Sequence, residues 1–338
     1  MKPAPKQWKL DEHPWQPRRF PAPTMRVIVD NDFSGDPDGV WQLAHHLLSP
    51  AAKVPLVIGS HLRPLTANSP LQGQDTAAAA AEVARDLFAR MGILDVDRVF
   101  AAASTPMIDM ETPQDTPAVR AVIAEAMRDD DLPLFFAAGA SLCTLASAIL
   151  IEPQVASRLT LVWIGGPEHG GLGTPDPGAL PIEYNLYADI NAARVCFDNQ
   201  DLEIHQVTRQ MYRQCLVSES MMRQRVRLLG PFGEYLYEVI ADKRDQFHGR
   251  VGKPAGESYA MGDSPTVLLT ALRSMFEPEA SSSFYTAVPK PVITSDGQYR
   301  PIYGTVPMRV YTHLDTYLML EDFFAKIAEF SAWQATDG

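Results

Sequence analysis

Between residues 25 and 200 short apolar runs alternate with helical stretches, and this alternation limits the fold more than any other feature of the chain. Val27-Ile28-Val29 is β-branched and apolar, and Val54 to Ile58 is a second such run that stops at Gly59-Ser60-His61. Further strands are predicted at Val99 to Ala101, at Leu132 to Ala137 before Gly139, and at Leu159 to Ile164 before Gly165-Gly166. Between them, Asp75 to Met91, Pro117 to Met127 and Leu142 to Ile151 read as helices. Alternation at this spacing builds βαβ units, which close into a mostly parallel sheet flanked by helices, a Rossmann-like α/β fold.

Past residue 200 the pattern changes. Met221 to Gln246 reads as mostly helical with a break near Gly230-Pro231, and Pro265 to Met275 and Thr316 to Phe330 read as helices. Residues 277 to 310 are rich in Pro, Ser, Thr, Tyr and Val and read as loops and short strands. The expected organisation is an irregular arm over residues 1–24 and a single α/β domain over 25–338. A helical and loop cap over the strand ends comes mainly from 200–338. Trp8 and Trp15 imply that the arm packs against something.

The charge narrows the partners. A net charge of −12 with no Lys/Arg-rich run argues against a phosphate-backbone partner, and so against nucleic acid. A small neutral or cationic ligand or a metal fits better. No stretch reaches the ~20 apolar residues of a membrane span. The N-terminus is polar and Pro-rich, unlike a secretory signal. The three cysteines, Cys143, Cys196 and Cys215, form no Cys-x-x-Cys pair and no disulfide framework. A cytoplasmic protein is expected.

The richest chemistry follows the first strand, in Asp30-Asn31-Asp32-Phe33-Ser34-Gly35-Asp36-Pro37-Asp38-Gly39. Ligands of open α/β sheets bind outside the carboxyl ends of strands, which is where this loop falls. Two carboxylates about 4 Å apart repel by roughly 4 kcal/mol at an effective dielectric of about 20. A hard divalent cation with oxygen ligands would relieve that repulsion. The plain alternative is a solvated turn with Asp36 or Asp38 as helix cap. Three later segments share the setting of a strand end or loop: Gly139-Ala140-Ser141-Leu142, Glu183-Tyr184-Asn185 with Asp189, and Gly262-Asp263-Ser264-Pro265. Asp189 and Asp263 also suit helix N-caps. His45 and His46 fall on the first helix, where at least one is expected to be buried.

In motif order over roughly residues 25 to 275, the chain resembles the inosine-uridine nucleoside hydrolase family. The resemblance rests on Asp30, Asp32 and Asp38-Gly39, on Gly139 to Ala146, on Glu183-x-Asn185 and on Gly262-Asp263. It implies the nucleoside hydrolase fold and calcium-dependent hydrolysis of the N-glycosidic bond of ribonucleosides to ribose and free base. It implies a homodimer or homotetramer. The implied Ca²⁺ ligands are Asp32, a carbonyl at Gly139, Asp263 and, as a substitute ligand, Asp36. Asp32 is the implied base, Asp38 the group on the 2′-hydroxyl, and Ser60, His61, Glu183 and Asn185 the remaining substrate contacts. Three residues depart from the family pattern. Gly39 stands for the second Asp of a pair, Gly262 for a histidine, and Ser60 for an asparagine. Weak metal binding that Gly39→Asp improves is the resulting expectation. A phosphohydrolase of the haloacid dehalogenase type and a non-catalytic nucleoside or ribose binder are the two alternatives.

Overall fold

The computed structural model describes residues 4–16, 23–175, 177–251, 256–274 and 281–336, without the side chains of 247–251. Its strands are β1 Met25–Asn31, β2 Ala52–Lys53, β3 Val57–Gly59, β4 Val99–Ala101, β5 Leu134–Ala138, β6 Thr160–Ile164 and β7 Glu203–Val207. They continue with β8 Leu216–Ser218, β9 Ser258–Ala260, β10 Phe284–Pro289, β11 Val292–Ile293, β12 Tyr299–Arg300 and β13 Pro307–His313. The main sheet runs β10-β13-β7-β6-β5-β1-β3-β4, with β2 beside β1. Its pairings are parallel except β10 with β13. The expected α/β fold is therefore present, and its sheet reaches further along the chain than expected. Strands β7, β10 and β13 extend it well past residue 200.

Strand β1 is buried along its whole length. Val27 and Val29 face one apolar cluster while Ile28 faces the other. Both faces are thus covered, as a parallel sheet requires. The chain leaves β1 toward β3 and β4 on one side and returns as β5 and β6 on the other. That reversal makes the end of β1 the switch point where a crevice opens.

Local chemistry explains the helices that frame it. Asp75 caps the helix Thr76–Met91 by accepting from Ala78 N at 3.0 Å, and Gly92 ends it in the left-handed conformation. Thr116 caps Pro117–Met127, which starts with proline in its first turn. Asp189 caps Ile190–Asp198 through Ala192 N and also accepts from Met107 N at 2.8 Å, so its role here is to cap.

The N-terminal arm packs on its own chain. Trp8 is 2 % exposed, its indole N–H donates to Met91 O at 2.8 Å, and its backbone bridges to Ile93. Trp15 lies edge-on to Phe330 of the terminal helix Thr316–Ala335, with ring centres 5.0 Å apart.

That helix also meets His45. The ring stacks on Phe323 and its Nε2 lies 2.7 Å from Asp322 Oδ2, a carboxylate shared with Lys326. Burial pushes the His45 pKa down to about 4, against the pull of Asp322. The folded protein keeps this ring neutral where the unfolded chain binds a proton below about 6.5. Stability therefore falls as the pH drops from 6.5 toward 4. Urea unfolding at pH 7 and pH 5 should differ by about 2 kcal/mol from His45 alone. A His45→Gln variant should show a flatter profile. An equally steep profile in that variant would assign the loss to other groups.

Candidate active site

The register of three strands assembles the site. Asn31 pairs with Gly59 of β3, and Asp30 pairs with Ala138 of β5. Ser60 N then donates to Asn31 O and Gly139 N donates to Asp30 O, each at 2.9 Å. The ends of β1, β3 and β5 thus meet at one point, and the acidic loop leaves from it.

Asp32 and Asp38 are 7 % exposed and Asp263 is 5 % exposed. Asp263 is remote in sequence, yet its backbone N–H donates to Asp38 Oδ2 at 3.2 Å. It does not cap the helix Pro265–Thr270, because Ser264 holds the cap position and the Asp263 carboxylate accepts from Asn31 Nδ2 at 3.0 Å. Burial pushes Asp32 well above the usual carboxylate range, and the charges of Asp263 and Asp36 push it further against Lys243. Asp38 is raised by burial and then by Asp263, Asp36 and Asp32. Asp263 is raised to about 7, mainly by burial, with the Asn31 hydrogen bond opposing. Among the described residues no hydrogen bond reaches the Asp32 carboxylate.

The helix start separates Asp36 from Asp38. Pro37 occupies the cap position of the helix Asp38–Leu47, so Asp38 belongs to the first turn and turns inward. Asp36 stays exposed outside the helix and accepts from the Tyr259 hydroxyl.

The remaining candidates surround this centre with their polar atoms engaged. Ser60 Oγ donates to Asp30 Oδ1 at 2.5 Å. His61 is buried, with its ring nitrogens 3.2 Å from Ala103 O and 3.4 Å from Ala188 O. Glu183 caps the helix Tyr184–Ala188, and its Oε2 accepts from Gly166 N and Leu186 N. Its Oε1 accepts from the Tyr212 hydroxyl at 3.0 Å. Asn185 Nδ2 donates to Gly139 O at 3.1 Å and Ile164 O at 2.7 Å, so Asn185 and the Gly139 carbonyl do meet.

Sequence reasoning missed Asn31, Gln42, Tyr212 and Tyr259. Gln42 and His46 stand four apart on the first helix, a spacing that puts them on one face. A cavity of about 500 Å³ lies beside the acidic loop, between Phe33, Gly35, Asp86, Tyr235 and Lys243. None of Asp32, Asp38 and Asp263 lines it, so the buried carboxylates lie elsewhere.

The family model for inosine-uridine preferring nucleoside hydrolase matches residues 38–314. The chain belongs to this family. It is a nucleoside hydrolase, a hydrolase acting on N-glycosyl bonds, and the phosphohydrolase alternative falls away. No curated protein sequence matches the chain. Solved structures share the fold at low identity. A plant nucleoside hydrolase is 17% identical with a TM-score of 0.68, covering 90% of this chain and 99% of its own. The purine-preferring ribonucleoside hydrolase from Gardnerella vaginalis, 14% identical with a TM-score of 0.68, has the same coverage. So has the inosine-uridine preferring enzyme from Bacillus anthracis, 15% identical with a TM-score of 0.61. Among the described residues no helix is long and apolar enough to cross a membrane.

Membership suggests a metal-dependent enzyme. The donor chemistry fits a hard cation, because three buried carboxylates converge and Lys243 is the one cation among the groups acting on Asp32. The spacing is more open: among the described residues no three His, Cys, Asp or Glu side chains are set to enclose an ion. Gly39 sets a limit on repair. A Cβ placed there would lie 2.9 Å from Asn31 Nδ2 and 3.0 Å from its Cγ. A side chain at Gly39 would therefore have to displace the Asn31 amide, which already fills that space.

Proposed function

We propose that the chain hydrolyses the N-glycosidic bond of ribonucleosides in a calcium-dependent reaction, releasing ribose and the free base. The observation that carries this reading is the burial of Asp32, Asp38 and Asp263 within one another's field, with the Asp263 N–H on Asp38 Oδ2. Asp32, Asp263 and a backbone carbonyl near Gly139 would hold the ion. Asp38 joins them in preference to Asp36, because it is buried against Asp263 whereas Asp36 points outward. A bound calcium ion would supply a polarised water and a rigid anchor for sugar hydroxyls. Asp32, whose carboxylate accepts no hydrogen bond among the described residues, would serve as the general base toward the attacking water. The exposed Asp36 suits a ribose hydroxyl, as does the Asn185 side-chain oxygen, which accepts no hydrogen bond among the described residues. Glu183, Ser60 and His61 hold the frame: Glu183 fixes Tyr212, Ser60 holds Asp30, and His61 spans two loops. The oxocarbenium-like transition state carries positive charge, which the surrounding carboxylates favour. Three free, buried cysteines support a cytoplasmic setting. The family resemblance supports a homo-oligomer.

Calcium titration by calorimetry tests the metal assignment. Wild type should bind one ion per chain, and Asp263→Asn should weaken binding at least tenfold. Gly39→Asp should weaken it as well. No heat with wild type, or an Asp263→Asn variant that binds as well as wild type, would refute the assignment.

A further inference from the structure

One backbone hydrogen bond sets the direction of a buried side-chain network behind Asp263. Asp32 N–H is a donor only, and it points at Asn31 Oδ1 at 2.8 Å. That orients the Asn31 amide and turns its Nδ2 toward Asp263 Oδ2 at 3.0 Å and Gln42 Oε1 at 3.3 Å. Gln42 presents its oxygen to Asn31, so its Nε2 donates to His46 Nδ1 at 2.8 Å. With Gln42 Nε2 as the donor to Nδ1, His46 carries its proton on Nε2, which lies 3.0 Å from Thr270 Oγ1; the Gln42 backbone carbonyl, which also faces the ring, is the competing acceptor for a proton on Nδ1. The Thr270 hydroxyl is free to accept there because its own hydrogen goes to Thr266 O at 2.6 Å. Asn31, His46, Thr270 and Thr266 are 0 % exposed and Gln42 is 1 % exposed, so water has little access to substitute for any link.

Two glycines make room for the chain. Beside Gly39, an added Cβ would lie 2.9 Å from Asn31 Nδ2, and beside Gly139 it would lie 2.4 Å from the same atom and 2.8 Å from Asp263 Cγ. The glycine that replaces the family's second aspartate is thus the complement of Asn31.

We infer that Asn31, Gln42 and His46 form a positioning relay that aims one amide N–H at Asp263 and holds that carboxylate in its working orientation. The relay rests on the reading of Asp263 as part of the hydrolytic centre. None of its three members touches the sugar. They act through Asp263, and the network is a directed chain in which each donor is determined by the one before it.

The direction of the chain is measurable without activity. At a pH where the introduced carboxyl is ionised, the side chain of Asn31→Asp has no hydrogen to give, so Gln42 must turn its Nε2 toward it and offer oxygen to His46. Gln42→Glu, ionised, presents oxygen to both neighbours. In either variant the His46 proton has to move to Nδ1. Proton–nitrogen correlation NMR on histidine-labelled full-length protein, with His46 assigned through His46→Gln, reads which ring nitrogen is protonated. The expected result is Nδ1 unprotonated in wild type and protonated in the two variants. Protonated Nδ1 in wild type, or unchanged Nδ1 in whichever variants fold, would overturn the relay. A kinetic arm adds the role. Gln42→Leu should lower kcat at least tenfold with KM within threefold. Combined with Asp263→Asn, it should cost no more than Asp263→Asn alone. Multiplying effects would show that Gln42 does not act through Asp263. If wild type shows no turnover, the hydrolase reading fails, and the histidine result still judges the relay.

Discussion

Replacing Asp32 by asparagine is expected to lower kcat for ribose release by about 10²–10⁴, the usual worth of a general base. The carboxylate is 7 % exposed, accepts no hydrogen bond among the described residues, and lies in the field of Asp263 and Asp36. The amide keeps the shape and removes both the proton acceptor and one negative charge. Relief of repulsion should leave the fold at least as stable, so far-ultraviolet circular dichroism and the melting temperature should be unchanged or improved. A variant with wild-type kcat would remove Asp32 from the mechanism.

Trp8→Ala is expected to give the largest loss of stability, about 3–5 kcal/mol, as for other buried tryptophans. The ring is 2 % exposed, packs against Trp15 at 4.8 Å between centres, and lies 6.4 Å from Phe330. Its N–H would leave Met91 O without that donor. The arm also meets the far end of the chain, where Lys6 N donates to Gln334 Oε1 at 2.7 Å. Denaturant unfolding measures the change. A loss below about 0.5 kcal/mol, the usual scale of a surface substitution, would show that the arm is an accessory.

Much of the fold was legible because local chemistry and tertiary role coincide. Pro117–Met127 was read with its observed boundaries, since threonine and proline both mark its start. Strands β1 and β3 to β6 announced themselves as apolar runs. Strands β7, β10 and β13 did not. β10 is an edge strand that alternates between exposed and half-buried positions, so it carries no apolar signature. β13 joins the sheet by pairing with β7, about a hundred residues earlier, and such a partnership leaves little trace in local letters.

The site divides the same way. Asp32 and Asp263 were visible as acids at strand and loop ends. The separate fates of Asp36 and Asp38 were not, because they depend on where the helix begins relative to Pro37. Asn31 looked like a spacer between two aspartates. Its partners Gln42 and Asp263 lie 11 and 232 residues away, and only the folded register brings them together. The family resemblance implied substrate contacts for Ser60 and His61. The structure shows their polar atoms turned to Asp30, Ala103 and Ala188 instead.

The central claim is that three buried carboxylates at the end of β1 break an N-ribosidic bond. The most direct measurement is ribose release from inosine and uridine by wild-type protein with calcium present, in parallel with Asp32→Asn and a chelated sample. The account expects steady turnover by wild type, near-background rates from Asp32→Asn, and loss of turnover on chelation that added calcium restores. Background release by wild type across purine and pyrimidine nucleosides, with nucleoside binding intact, would contradict it and identify a binding protein.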